Sequence, residues 1–157
     1  MNLTIDASVF VSAARPSEKQ YPLSYKFLQM VKGSKIFSPT LVFAECGAAI
    51  ARPTGDSLLS RRLVNLMKHF PGMTPIPLDL SLAIRAAEIA IENRLRGADA
   101  VYIAVAEDFD AVLVSWDEEM LERCPESVFA MSPEKWLENA PRTGERVLNH
   151  SSWKDSD

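Results

Sequence analysis

The stretch Ala111-Val112-Leu113-Val114-Ser115-Trp116-Asp117 decides how this chain folds. Ala111–Ser115 is a continuous apolar run, too short for a helix and bounded by polar residues, so it reads as a buried strand. An acid follows it. Working back from this strand, Asp99–Glu107 is helical in pattern and almost wholly apolar. Before Gly97, a long helix capped by Asp79 or Ser81 runs to about Leu95, with Leu82, Ala86, Ile89 and Ala90 on one stripe. Working forward, Asp117–Arg123 is a short helix, Val128–Met131 a last strand and Pro133–Asn139 a last helical turn or two. Further upstream, Asn2–Asp6 is a short strand ending in an acid, Lys35–Phe37 a second strand, and Thr74–Leu78 holds another. Between them the spacing predicts an amphipathic helix over Pro16–Lys32. A second helix opens at Ser38-Pro39-Thr40, with the proline in its first turn, and breaks at Pro53-Thr54-Gly55. A third begins at Asp56 or Ser57 and turns Leu59, Leu63, Leu66, Met67 and Phe70 toward a core. Strands alternating with helices imply an α/β fold with a mostly parallel sheet, whose ligands bind beyond the carboxyl ends of the strands.

The 157 residues suit one domain, able to bury roughly 70% of its unfolded surface without staples. Its 47% hydrophobic and 24% charged residues exclude a wholly disordered chain, a collagen and a disulfide scaffold. Apolar runs such as Leu41–Ala51, interrupted by Glu45, are too short to span a bilayer, so no membrane role is expected. The first ten residues carry an acid and no basic cluster, unlike a secretory leader, and a cytoplasmic chain is expected. Cys46 and Cys124 then read as separate thiols. From Ala140 the composition turns polar, which predicts a domain over residues 1–139 and a flexible tail over 140–157. Residues 1–96 carry 12 Lys and Arg against 7 Asp and Glu, whereas residues 97–157 carry 5 against 14. A nucleic-acid partner is therefore compatible with the net charge of −4.

His69 and His150 are isolated, and no CxxC is present. Zinc sites, Cys–His pairs and Ser–His–Asp triads are poorly supported by residues so scattered, so chemistry falls to carboxylates. Asp6, Asp99 and Asp117 each have a plain reading as a helix cap or turn acid. Glu45 does not. It is the only charge between Pro39 and Arg52, on a helix apolar on both faces, and a buried carboxylate needs a partner, a shifted pKa or a metal. A parallel sheet brings the strand ends to one edge. There four carboxylates make six pairs, each repelling by ~3 kcal/mol at ~6 Å and an effective dielectric of ~20. That total rivals the stability of a whole domain, about 5–15 kcal/mol, so protonation or a divalent cation must relieve it. Oxygen ligands without His or Cys suit Mg²⁺ or Mn²⁺.

The set Ile5-Asp6-Ala7-Ser8, Pro39 to Glu45, Leu95-Arg96-Gly97-Ala98-Asp99-Ala100 and Leu113-Val114-Ser115-Trp116-Asp117 resembles the PIN domain, especially the VapC-type toxin ribonucleases. The resemblance covers about residues 2–135 in order and spacing. It implies a three-layer α/β/α sandwich and a Mg²⁺-dependent endoribonuclease, the toxin of a toxin–antitoxin pair. It also implies that Asp6, Glu45, Asp99 and Asp117 form the acidic catalytic and metal-holding quartet, with Ser8 and Ser115 orienting the carboxylates. RNA would be gripped by basic residues of the first half; Arg15, Arg52 and Arg96 are the leading candidates beside Lys19, Arg61, Arg62 and Arg94. A cognate antitoxin and a homodimer are expected, the latter because Ser57–Phe70 and Leu80–Leu95 carry surplus apolar surface.

Two other readings compete. A phosphatase or receiver domain using Asp6 usually needs an adjacent second acid or a later lysine, whereas Ala7 and Ser8 follow Asp6 and no lysine follows Val112–Ser115. A PIN-like module that binds RNA or protein without cutting has no use for a complete quartet.

Overall fold

In the computed structural model, described over residues 1–140, the chain opens with β1 (Asn2–Ile5), whose Leu3, Thr4 and Ile5 are fully buried. Asp6 then caps a helix that the sequence reading passed over, α1 (Ala7–Ala13). Next come α2 (Tyr21–Met30), β2 (Lys35–Pro39), α3 (Leu41–Thr54), α4 (Ser57–Lys68) and β3 (Met73–Ile76). The remainder is α5 (Leu80–Asn93), α6 (Gly97–Asp108), β4 (Val112–Val114), α7 (Glu118–Glu122), β5 (Ala130–Met131) and α8 (Pro133–Asn139). The tail expected over residues 140–157 lies, apart from Ala140, outside the described residues.

All five strands are parallel, in the order β3-β2-β1-β4-β5. From β1 the chain steps outward through β2 to β3, then returns past β1 to β4 and β5. Right-handed crossovers therefore place α1–α4 on one face and α5–α6 on the other, the expected three layers. Helix α6 fills the centre of its face, packing on β1, β2, β4 and α5. Asp99 to Ala106 are all buried, which is why this helix is apolar all round. The strand order reverses between β1 and β4, so a crevice opens beyond their carboxyl ends.

Several local expectations are corrected. Pro39 ends β2 opposite Ile76 instead of sitting in the first turn of α3. Helix α2 starts at Tyr21, because Pro22 suits a first turn and would break a helix running through from Pro16. Pro53 does not end α3: Thr54 donates to the Ile50 carbonyl at 2.6 Å, and Gly55, with φ of 68°, closes the helix through Ala51. Leu66 is 68% exposed and faces away from the core. Cys46 is buried, Cys124 half-buried, and both are free thiols. Among the described residues no helix is long and apolar enough to cross a membrane.

Gly72 leads into β3 with φ of 81°, and its carbonyl accepts the Ile36 N–H at 2.9 Å. A Cβ there would lie 2.0 Å from the Ser34 carbonyl oxygen. Gly72→Ala is accordingly expected to lower the unfolding free energy by more than about 1 kcal/mol, read from urea denaturation curves.

Candidate active site

Asp6 leaves β1 at the crevice, anchored by its backbone N–H on the Val114 carbonyl of β4 at 3.0 Å. It is buried, and its Oδ2 accepts the Ser8 hydroxyl at 2.6 Å, the Ser115 hydroxyl at 2.9 Å and the Ser8 N–H at 3.3 Å. The two hydroxyls are committed elsewhere as acceptors: Ser8 Oγ takes the Trp116 N–H and Ser115 Oγ the Asp117 N–H. Their single protons are therefore free to point at Asp6. Asp117 caps α7 through Oδ1 and the Met120 N–H at 2.9 Å, while Asp99 stands in the first turn of α6. Three of the acids thus sit at helix N-termini, where the backbone dipole favours negative charge. Two of them, Asp6 and Asp117, are caps as well as members of the cluster.

Glu45 reaches the crevice from the middle of α3. It is half-buried, because the outer face of α3 is exposed alanine (Ala44, Ala48 and Ala49) rather than core. This corrects the expectation that both faces are closed. Its Oε1 accepts the hydroxyl of Tyr102, a fully buried residue of α6, at 2.6 Å. Burial raises the Glu45 pKa from its ordinary value, the Tyr102 hydrogen bond opposes that, and the charges of Asp6 and Asp99 add to the rise. Burial likewise raises Asp99, against the pull of Arg96, with Asp117 and Asp6 adding to the rise. Glu45 thus feels the charges of Asp6 and Asp99, and Asp99 those of Asp117 and Asp6. Burial, Asp6 and Glu45 drive the Tyr102 phenol upward, so it stays a donor.

The expected basic residues separate. Arg15 pairs with Glu18 at 2.7 Å. Arg52 is exposed and lines an open groove of about 630 Å³ with Glu45, Ala48, Ala49 and Pro53. Arg61 borders a smaller hollow of about 320 Å³ between α3 and α4, with Lys68 and Asn65 but without an acid. Arg96, expected to grip substrate, instead lies among the acids: its Nε donates to Asp99 at 2.9 Å and its Nη2 to Asp117 at 2.5 Å. Among the described residues no group of three or more His, Cys, Asp or Glu is arranged to hold a metal ion. The oxygen-only donor set suits a hard divalent cation all the same, and part of its charge is met by a guanidinium.

A family model for the PIN domain matches residues 3–125. The chain belongs to the PIN domain family. Solved structures agree in fold. VapC20 of Mycobacterium tuberculosis, described as a Sarcin-Ricin loop cleaving toxin, matches with a TM-score of 0.67 at 14% identity, over 81% of this chain and 98% of that one. VapBC2 from Rickettsia felis, bound to a promoter DNA fragment, gives 0.65 at 14% identity, over 84% and 98%. FitAcB from Neisseria gonorrhoeae gives 0.65 at 17% identity, over 85% and 99%. No curated protein matches the chain.

Sequence reasoning missed three parts of this PIN domain's site. Tyr102 had a usable signal, a hydroxyl in an apolar helix three residues after Asp99 and so on the same face. The relay behind Ser8 had none: Trp116 Nε1 donates to Ser24 at 2.7 Å, Ser24 and Ser12 hydroxyls meet at 2.6 Å, and Ser12 donates to the Ser8 carbonyl at 2.8 Å. The third is the ionic role of Arg96. Ser115 is the hub that joins β4 to both strand-end acids, since its hydroxyl serves Asp6 and the Asp117 backbone. Ser115→Ala is expected to destabilise the fold by about 1–3 kcal/mol, because the Asp117 N–H loses its acceptor and Asp6 one of its three donors. Equilibrium denaturation of the two proteins measures it.

Proposed function

We propose that this PIN domain, over residues 1–139, is a metal-dependent endoribonuclease and the toxin of a toxin–antitoxin pair. The observation that carries this reading is the linkage of the acids beyond the carboxyl ends of β1 and β4: Ser115 joins Asp6 to Asp117, Arg96 joins Asp117 to Asp99, and Glu45 feels the charges of Asp6 and Asp99. Asp6, Asp99 and Asp117 would hold Mg²⁺ or Mn²⁺, with Glu45 a further ligand through water or the group that orients the attacking water. When bound, such an ion polarises a phosphodiester and stabilises charge on the departing oxygen.

The chain's own residues do the positioning. Ser8 and Ser115 direct their protons at one oxygen of Asp6, so that carboxylate keeps a fixed orientation. Tyr102 pins one oxygen of Glu45, and the half-exposed carboxylate faces a groove that solvent and substrate can both enter. Arg52, in that groove, is placed to take an RNA phosphate. The solved neighbours named as toxin–antitoxin or VapBC complexes support an antitoxin partner. Exposed Leu58, Leu66, Leu80, Ile84 and Ile91 on α4 and α5 support a homodimer. An RNA target of this kind implies work in the cytoplasm.

Asp6→Asn keeps the size and the hydrogen-bond acceptor but removes the charge. It is expected to abolish Mg²⁺-dependent cleavage of total RNA, followed by mapping of new 5′ ends, while the melting curve still shows a folded protein. Undiminished cleavage by that variant overturns the assignment. RNA binding by the parent without cleavage, in Mg²⁺ and in Mn²⁺, would instead support a silent binding module.

A further inference from the structure

The acids of this site already hold a cation, and it belongs to the chain. One guanidinium, that of Arg96, spans two elements, meeting Asp99 on α6 and Asp117 at the start of α7. The Arg96 side chain is 64% exposed, whereas those of Asp99 and Asp117 are 10% and 26% exposed. The head group thus stands at the mouth of the crevice with the carboxylates behind it. We propose that Arg96 is a positioning residue of the cation pocket: a resident counter-ion that clamps Asp99 to Asp117, gives way to a divalent ion, and so sets the pocket's affinity for that ion. The proposal rests on the metal-dependent reading above.

Three observations converge on it. Asp117 has one oxygen committed to capping α7 through the Met120 N–H, so the oxygen it can offer an ion is Oδ2, the one Arg96 holds. Asp99 is likewise gripped at Oδ2. Release of the clamp disturbs no core, because Arg96 is exposed, lies just before α6 in extended conformation (φ −65°, ψ 147°), and makes no capping bond with its side chain. An ion carrying two charges on hard oxygen ligands can then displace a single, mobile charge. Without Arg96, Asp99 and Asp117 repel each other unscreened, which strains the metal-free protein and strengthens its attraction for a cation.

The test is calorimetric titration of Mn²⁺ into the full chain at low ionic strength, with melting curves in the presence and absence of the ion. R96Q is expected to bind Mn²⁺ about ten-fold more tightly than the parent. Its metal-free form should melt lower, and the ion should raise its melting temperature by more. R96K should fall between, since an ammonium cannot fork across two carboxylates; it carries the same comparison should R96Q fail to fold. A merely structural Arg96 would lower the melting temperature without tightening the ion. Equal or weaker Mn²⁺ affinity in the variants overturns the proposal. Failure of the parent and the variants alike to bind Mn²⁺ removes the metal-dependent reading and the proposal with it.

Discussion

Carboxylates gathered at one end of a sheet repel one another, and a fold that gathers them must offset that repulsion with protons, donors or cations. The structure uses all three kinds of compensation. Glu45 and Asp99 are pushed toward their protonated forms by burial and by their acidic neighbours. Asp6 is surrounded by hydroxyl and amide donors from Ser8 and Ser115. Arg96 supplies a positive charge between Asp99 and Asp117. A guanidinium is weakly hydrated and rigid, which suits it to bridging two carboxylates, and its exposure leaves it able to depart.

The parallel sheet makes this concentration possible. Every strand delivers its carboxyl end to the same edge, and the reversal of direction beside β1 leaves room there that helices on neighbouring connections do not fill. The helices that follow β1 and β4 begin at that edge, so Asp6 and Asp117 gain both a capping bond and a favourable dipole. Local helix stability and the chemical site are therefore served by the same residues. The opposite layer adds α6, a buried apolar helix that presents Asp99 and Tyr102 from one face and ties Glu45 of α3 to the rest.

Much of the fold was legible because its signals are local. The run through Val112–Val114 cannot be anything but a buried strand, and an apolar helix such as α6 must lie inside. Errors arose where two local signals competed. Pro39 carries both a helix-start and a strand-end meaning, and pairing with Ile76 settled it. Leu66 follows the same spacing as Leu63 and Met67, yet stands 68% exposed, because nothing among the described residues packs over that side of α4. Helix α1 was passed over because Asp6 has a turn reading as well as a helix-cap reading, and the short run Ala7–Ala13 does not by itself choose between them.

The sequence by itself determined the alternation of strands and helices and the parallel sheet, and it singled out four acids, three where a strand ends or an apolar helix begins and Glu45 within a helix. These depend on periodicity and on residues adjacent in the chain, so physical chemistry can read them in one dimension. Which groups answer those acids was decided only in three dimensions. Tyr102 meets Glu45 across 57 positions, Ser115 meets Asp6 across 109, and Arg96 meets Asp117 across 21. Such pairings follow from crossover direction and sheet order, through the steep distance dependence of hydrogen bonds and charge, and no local pattern encodes them.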